Sequence, residues 1–148
     1  MIEVNNQTPY PADEDFLKNI INTVLKKEGV KKFDLSLALV KEGEMKELNR
    51  IYRGRDYVTD VLSFPFKAEE PFSREEDGEI IICPAQVEKN AERAGVSFKK
   101  EMSRVLIHSI LHLLGYEHEK SEGEKREMRE KEDYYLGKFS FPKNLIKK

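Results

Sequence analysis

The spacing of apolar positions divides the chain into strands and helices that follow one another in turn. Residues 33–40 set Phe33, Leu35, Leu37 and Leu39 against Asp34, Ser36, Ala38 and Val40, the two-residue repeat of a strand. Apolar runs at 1–5, 61–66 and 79–83 predict three more strands. Helical spacing fills the gaps. Phe16, Ile20, Ile21, Val24 and Leu25 form the stripe of a helix opened by Asp13 and ended by Gly29. Met45, Leu48, Asn49 and Tyr52 mark a second helix over 43–53. Pro84 opens a third, running to Ala94 and stopped by Gly95, and Ser97 caps a fourth. Ser121 with Glu124 makes a capping box for a fifth, which runs to about Leu136 and is closed by Gly137. Residues 67–78 break the pattern with acid, proline and glycine, so Glu69, Glu70, Glu75, Glu76 and Asp77 read as a solvated loop. The pattern predicts one α+β domain over 1–148, a mixed four-stranded sheet covered by helices with the fourth helix at its centre.

That fourth helix departs from an ordinary core helix. From Val105 to Leu114 it is apolar apart from His108, Ser109 and His112, and the stretch 108–118 holds all three histidines of the chain. On a helix, residues four apart share a face, with Cβ atoms roughly 5–6 Å from each other. His108 and His112 therefore suit two imidazoles converging on one ion, with Zn–N bonds of about 2.0–2.1 Å. Gly115 permits the left-handed conformation that stops the helix and turns the chain, bringing His118 round as a third ligand. The fourth position is then left for water. A lone buried histidine is usually a hydrogen-bonded core residue. Several imidazoles close together are costly to bury without partners, and one metal satisfies them all.

Composition narrows the class. There is one cysteine, Cys83, so an internal disulfide is excluded and a reducing compartment is the simplest home. Cys83 stands at a strand end and reads as a small apolar residue rather than a fourth ligand. No signal peptide or membrane span is visible, which points to the cytoplasm and to no membrane partner. The net charge of −2 does not mark a nucleic-acid binder, although a local basic surface is compatible with it.

Structural zinc sites use four protein ligands, often including Cys, whereas catalytic sites keep three and a water. Three histidines without a nearby Cys therefore favour an open, zincin-like site. The spacing H-x-x-x-H-x-x-x-x-x-H is also that of the metzincin peptidases, in which a Glu follows the first His as general base. Here that position is Ser109, too short and too weak a base; Glu117 beside His118 is a candidate substitute, with a supporting or plain surface role the stronger reading. The metal geometry is shared; the chemistry expected is different.

The stretch from His108 to His118 also resembles the signature of the YbeY family of rRNA maturation factors, H-G-x-L-H-L-x-G-Y-D-H. Leu48-Asn49-Arg50-Ile51-Tyr52-Arg53-Gly54-Arg55-Asp56, with Thr59-Asp60-Val61-Leu62-Ser63-Phe64-Pro65, is similar to a second family motif. Gly78-Glu79-Ile80-Ile81-Ile82-Cys83-Pro84 is similar to a third. The likeness covers nearly the whole chain and weakens at its ends. Within the metal motif, Ser109 replaces the usual Gly and Glu117 the usual Asp.

The resemblance implies a zinc-dependent endoribonuclease for single-stranded RNA, with one Zn2+ per chain held by His108, His112 and His118. It would act in maturation of the small-subunit (16S) rRNA 3′ end and in ribosome quality control. The partners it implies are the small ribosomal subunit, one of its proteins and an assembly GTPase. Imidazoles also accept nickel, copper and iron. Arg53 is the candidate catalytic cation, a planar guanidinium able to hold two oxygens of the scissile phosphate. Arg50, Arg55, Lys99, Lys100 and Arg104 are candidates for a basic rim, and Asp60 with Thr59 for orienting a ligand histidine. Hydrolysis by an activated water and attack by the RNA 2′-OH are both open. Two other classes compete: a metallopeptidase-like or other metallohydrolase, and a ribosome-assembly factor whose metal is structural.

Overall fold

A computed structural model describes residues 1–65, 77–116, 121–139 and 141. Four strands, β1 (Ile2–Asn6), β2 (Leu35–Leu39), β3 (Val61–Pro65) and β4 (Gly78–Ile82), form one sheet in the order β1-β2-β4-β3. The first three neighbours run parallel and β3 pairs antiparallel with β4, Ser63 opposite Ile80. Five helices complete the domain: α1 (Glu14–Lys27), α2 (Glu42–Arg53), α3 (Pro84–Ala94), α4 (Phe98–Leu113) and α5 (Glu122–Leu136). The α+β class and the mixed sheet agree with the pattern of the sequence.

Side chains alternate across a strand, so each strand serves two faces. Leu35, Leu37, Leu39, Ile80 and Ile82 point into the larger core, which α1, α4 and α5 complete. Val40, Leu62, Ile81 and Cys83 point the other way, into a smaller cluster closed by Met45 and Leu48 of α2. The helix α4 is the hub of the larger core. It packs against α1, α3, α5 and β3, and nine of its sixteen residues are buried, more than a single stripe requires. Its two buried hydroxyls are satisfied within the helix, Ser103 donating to the Lys99 carbonyl at 2.8 Å and Ser109 to Val105 at 2.9 Å.

The helix ends follow the sequence closely. The side chains of Asp13, Ser97 and Ser121 accept hydrogen bonds from the third backbone N–H beyond them, at 3.0–3.1 Å. At Ser121 the full reciprocal box does not form, because its hydroxyl donates to Glu124 Oε1 at 3.1 Å. Gly137 ends α5 as expected, in a right-handed conformation (φ −66°) with its N–H on the Asp133 carbonyl. The strand expected at 33–40 is shorter at both ends; at its start Asp34 instead bonds Asp77 through its N–H (2.8 Å) and carbonyl. Asp77 is thus a link between chain segments, whereas Glu69, Glu70, Glu75 and Glu76 lie outside the described residues.

Candidate metal centre

The histidine helix stops where the sequence requires. Leu114 caps α4, and Gly115 follows at φ 105°, a conformation that a side chain would strain. The Tyr116 N–H then returns to the Leu111 carbonyl at 3.1 Å, closing the last turn. His118 and Glu117 lie outside the described residues, so the third ligand and the substitute base expected there are without a described position. Among the described residues no three of His, Cys, Asp and Glu gather to hold a metal. What they contribute is the pair His108 and His112, one turn apart on α4.

The two rings are held differently. His108 Nδ1 meets Glu132 Oε2 of α5 at 2.5 Å, a contact in which an ionised carboxylate accepts from a protonated Nδ1. A carboxylate behind the imidazole is the usual support of a metal-ligating histidine. Among the described residues His112 Nδ1 is buried without a hydrogen-bond partner. A desolvated ring nitrogen with nothing to offset it is costly in a core helix, and ligation by the ring supplies compensation. On these two observations the residues present fit a divalent metal.

Sequence reading missed Glu132. Its signal was available: Met128, Glu132 and Tyr135 fall on one face of α5, and all three are buried. A carboxylate in an apolar stripe requires a partner, and His108 is that partner. Asp60 was the residue expected to orient a ligand histidine, and the contact found on the His108 ring comes from Glu132. Among the described residues the Asp60 carboxylate accepts long bonds, from Thr59 and Asn90, both 3.4 Å.

Glu28 was missed too. At the end of α1 its buried carboxylate accepts from Tyr116 at 2.7 Å, from Lys131 at 3.0 Å and from Tyr135. It thereby ties the chain leaving α4 and the helix carrying Glu132 to the same point. Burial pushes the Glu28 carboxyl up, but the bonds from Tyr135, Tyr116 and Lys131 together bring it below its ordinary value. Burial and the bond to Glu28 push the Tyr135 phenol far up.

The other expected residues scatter. Ser109 cannot act as a base in the cleft, because its hydroxyl is buried and already bonded to Val105. Cys83 is fully buried in the cluster across the sheet from α4, and burial raises its thiol pKa, as suits a small apolar residue. Arg53 is the exposed last residue of α2, on that same far side of the sheet. Its guanidinium has no hydrogen bond or ion pair among the described residues. Lys99 lies over the Phe16 ring at 4.2 Å, and Arg50 is taken by Glu47 at 2.6 Å. Arg104 is the basic residue one turn before His108. It grips buried Glu101 with two bonds of 3.1 and 2.5 Å, and Glu101, then Glu132 and Asp60, hold its pKa above the ordinary value.

The fold and this centre define a class: an α+β protein with a histidine pair on its central helix, backed by a carboxylate from the following helix. Comparison with known proteins narrows it. The sequence model for the family described as Endoribonuclease YbeY matches residues 2–140. An Endoribonuclease YbeY of Helicobacter pylori (strain P12) is 38% identical over 148 residues, covering 100% of this chain and 98% of that protein. One from Thermotoga maritima is 42% identical over 120 residues, 81% of this chain and 76% of the relative. The solution structure of TM1509 from Thermotoga maritima superposes with a TM-score of 0.66 at 38% identity, covering 92% and 87% of the two chains. This chain belongs to the YbeY endoribonuclease family.

Proposed function

We propose that the protein is a zinc-dependent endoribonuclease that cuts single-stranded RNA at a centre formed by His108, His112 and His118. The observation that carries this reading is the Glu132–His108 contact at 2.5 Å, one helical turn from His112 with its buried, unpartnered nitrogen. When bound, zinc supplies Lewis acidity and lowers the pKa of water toward neutrality. Glu132 fixes the tautomer and direction of the His108 ring, so the ring arrives oriented. Arg53 is the proposed cation for the scissile phosphate, its guanidinium free of other described partners. With the Ser109 hydroxyl bonded to Val105, the base that a metzincin-like peptidase needs is missing at that position. Family membership supports an RNA substrate. The finer assignment is to maturation of the small-subunit rRNA 3′ end and ribosome quality control in the cytoplasm, with the small subunit, one of its proteins and an assembly GTPase as partners. No described helix is long and apolar enough to cross a membrane.

The test combines metal content with cleavage of a single-stranded small-subunit rRNA 3′-end fragment, for the wild type, His112→Ala and Arg53→Ala, each checked for folding by circular dichroism. One zinc per wild-type chain is expected. His112→Ala loses zinc and cleavage together, while Arg53→Ala keeps zinc and loses about 10²-fold or more in rate, as for removal of one charge-stabilising donor. Undiminished cutting by a metal-free His112→Ala protein would sink the reading and leave a ribosome-assembly role with a structural metal in its place.

A further inference from the structure

Among the described residues, exposed large hydrophobic side chains gather at the end of α2. Of the large hydrophobic side chains that are strongly exposed, three fall within seven residues: Ile51 at 57%, Tyr52 at 63% and Tyr57 at 48%. Arg53 and Arg55 stand between the two tyrosines, both exposed. Single apolar residues at a surface are ordinary; a cluster of this kind marks a binding surface.

The cluster is also held in place. The Tyr52 ring packs edge-on against Phe64 of β3, with centroids 5.2 Å apart and planes at 64°. Gly54 ends the helix in the left-handed region, and the Arg55 N–H caps it on the Asn49 carbonyl at 3.3 Å. Asn49 is fully buried, and its Nδ2 holds the Tyr57 carbonyl at 2.9 Å. A pinned loop presents its aromatic rings without an ordering cost on binding. Arg50 is engaged by Glu47, and Asp56 offsets part of the remaining charge, so Arg53 and Arg55 supply the cations.

We propose that Tyr52 and Tyr57, with Arg53 and Arg55, form a subsite on which unpaired bases of single-stranded RNA stack. This rests on the ribonuclease reading above and extends it. Exposed aromatic faces beside arginines suit a strand whose bases are free to stack and whose phosphates need countercharge. Tyrosine and arginine are also common where folded proteins dock, and what favours RNA as the occupant here is the ribonuclease reading on which the proposal rests. The position is also suitable. The edge strand β3 carries Phe64 against Tyr52 of α2 and is also in contact with α4, so it lies between the histidine helix and the tyrosines.

The chain has no tryptophan, so Tyr52→Trp installs a single reporter. Its emission should be quenched by a 12-nucleotide single-stranded 2′-O-methyl oligoribonucleotide, verified intact afterwards, and not by the same sequence as a duplex. By anisotropy, Tyr52→Ala should weaken binding of that oligonucleotide by about 5- to 100-fold, the range for loss of one stacked base. Tyr52→Phe, which keeps the ring, should retain most of the affinity. An abasic nucleotide at the stacked position should weaken wild-type binding and add little to Tyr52→Ala. If the wild type cleaves and binds RNA while Tyr52→Ala binds equally well and the tryptophan variant stays unquenched, the stacking proposal is wrong and the ribonuclease reading survives. If no single-stranded RNA binds to the wild type, both fail.

Discussion

On one face of the sheet Leu35, Leu37, Leu39, Ile80 and Ile82 meet three helices, and α4 is buried on nearly every side. On the other face Val40, Leu62, Ile81 and Cys83 meet one short helix, α2, whose far end carries exposed tyrosines and arginines. The first face provides rigidity. Packing around most of α4 leaves its buried side chains few alternative rotamers, a firm base for the His108–Glu132 contact. The second face provides access. With little to cover it, α2 offers a surface that a long, irregular ligand can reach. The histidine pair and Glu132 thus belong to the crowded face and the exposed Tyr52 and Arg53 to the thin one, with the edge strand β3 between them.

The comparison breaks most sharply on core deletions. Leu106 and Met45 are both fully buried, but Leu106 sits among helices on the crowded face and Met45 under a single helix. Leu106→Ala should cost about 4 kcal/mol and Met45→Ala about 2 kcal/mol, because the thinner face can settle into the gap. Urea unfolding of both variants measures this, and equal losses would remove the claimed difference in rigidity.

A second, smaller effect concerns the support of the rings. Glu132→Gln should weaken zinc binding by about 10- to 100-fold in a chelator competition, since the amide neither carries charge nor fixes the tautomer as firmly. Glu132→Asp should fall between that variant and the wild type. Zinc affinity indifferent to both changes would mean that the contact with His108 serves packing alone.

The smallest effect is in pH dependence. The Glu28 carboxyl is lower in the folded than in the unfolded chain, so its contribution is present above the ordinary carboxylate value and is lost as pH falls through the folded one. The Tyr135 phenol is raised, so its contribution is present below the ordinary phenol value and is lost as pH rises toward the folded one. The cluster therefore stabilises the protein between roughly pH 4.3 and 10. Glu28→Gln should lower stability at pH 7 by about 1–3 kcal/mol and flatten both limbs of the stability profile. Parallel profiles for variant and wild type would show that the cluster is not what sets the window.

The sequence alone determined the elements, most of their caps and the histidine pair, because each depends on neighbours within a few residues. Apolar alternation marks β2 whatever it pairs with, and four-residue spacing places His108 and His112 on one face of any helix. Ser97, Asp13 and Gly115 act on the backbone next to them. Other features were beyond such reading. Glu132 lies 24 residues from His108, and Glu28 lies 88 from Tyr116 and 107 from Tyr135, so only the packing of α5 and α1 around α4 brings them together. The residual role of Ser109, a hydroxyl turned back on its own helix, followed from burial. The sorting of strand residues to two unequal faces, with Arg53 and Tyr52 on the thin one, was likewise decided by tertiary structure. Local sequence sets dihedral preferences and periodicity; which distant charges meet depends on how whole elements pack to remove apolar surface from water.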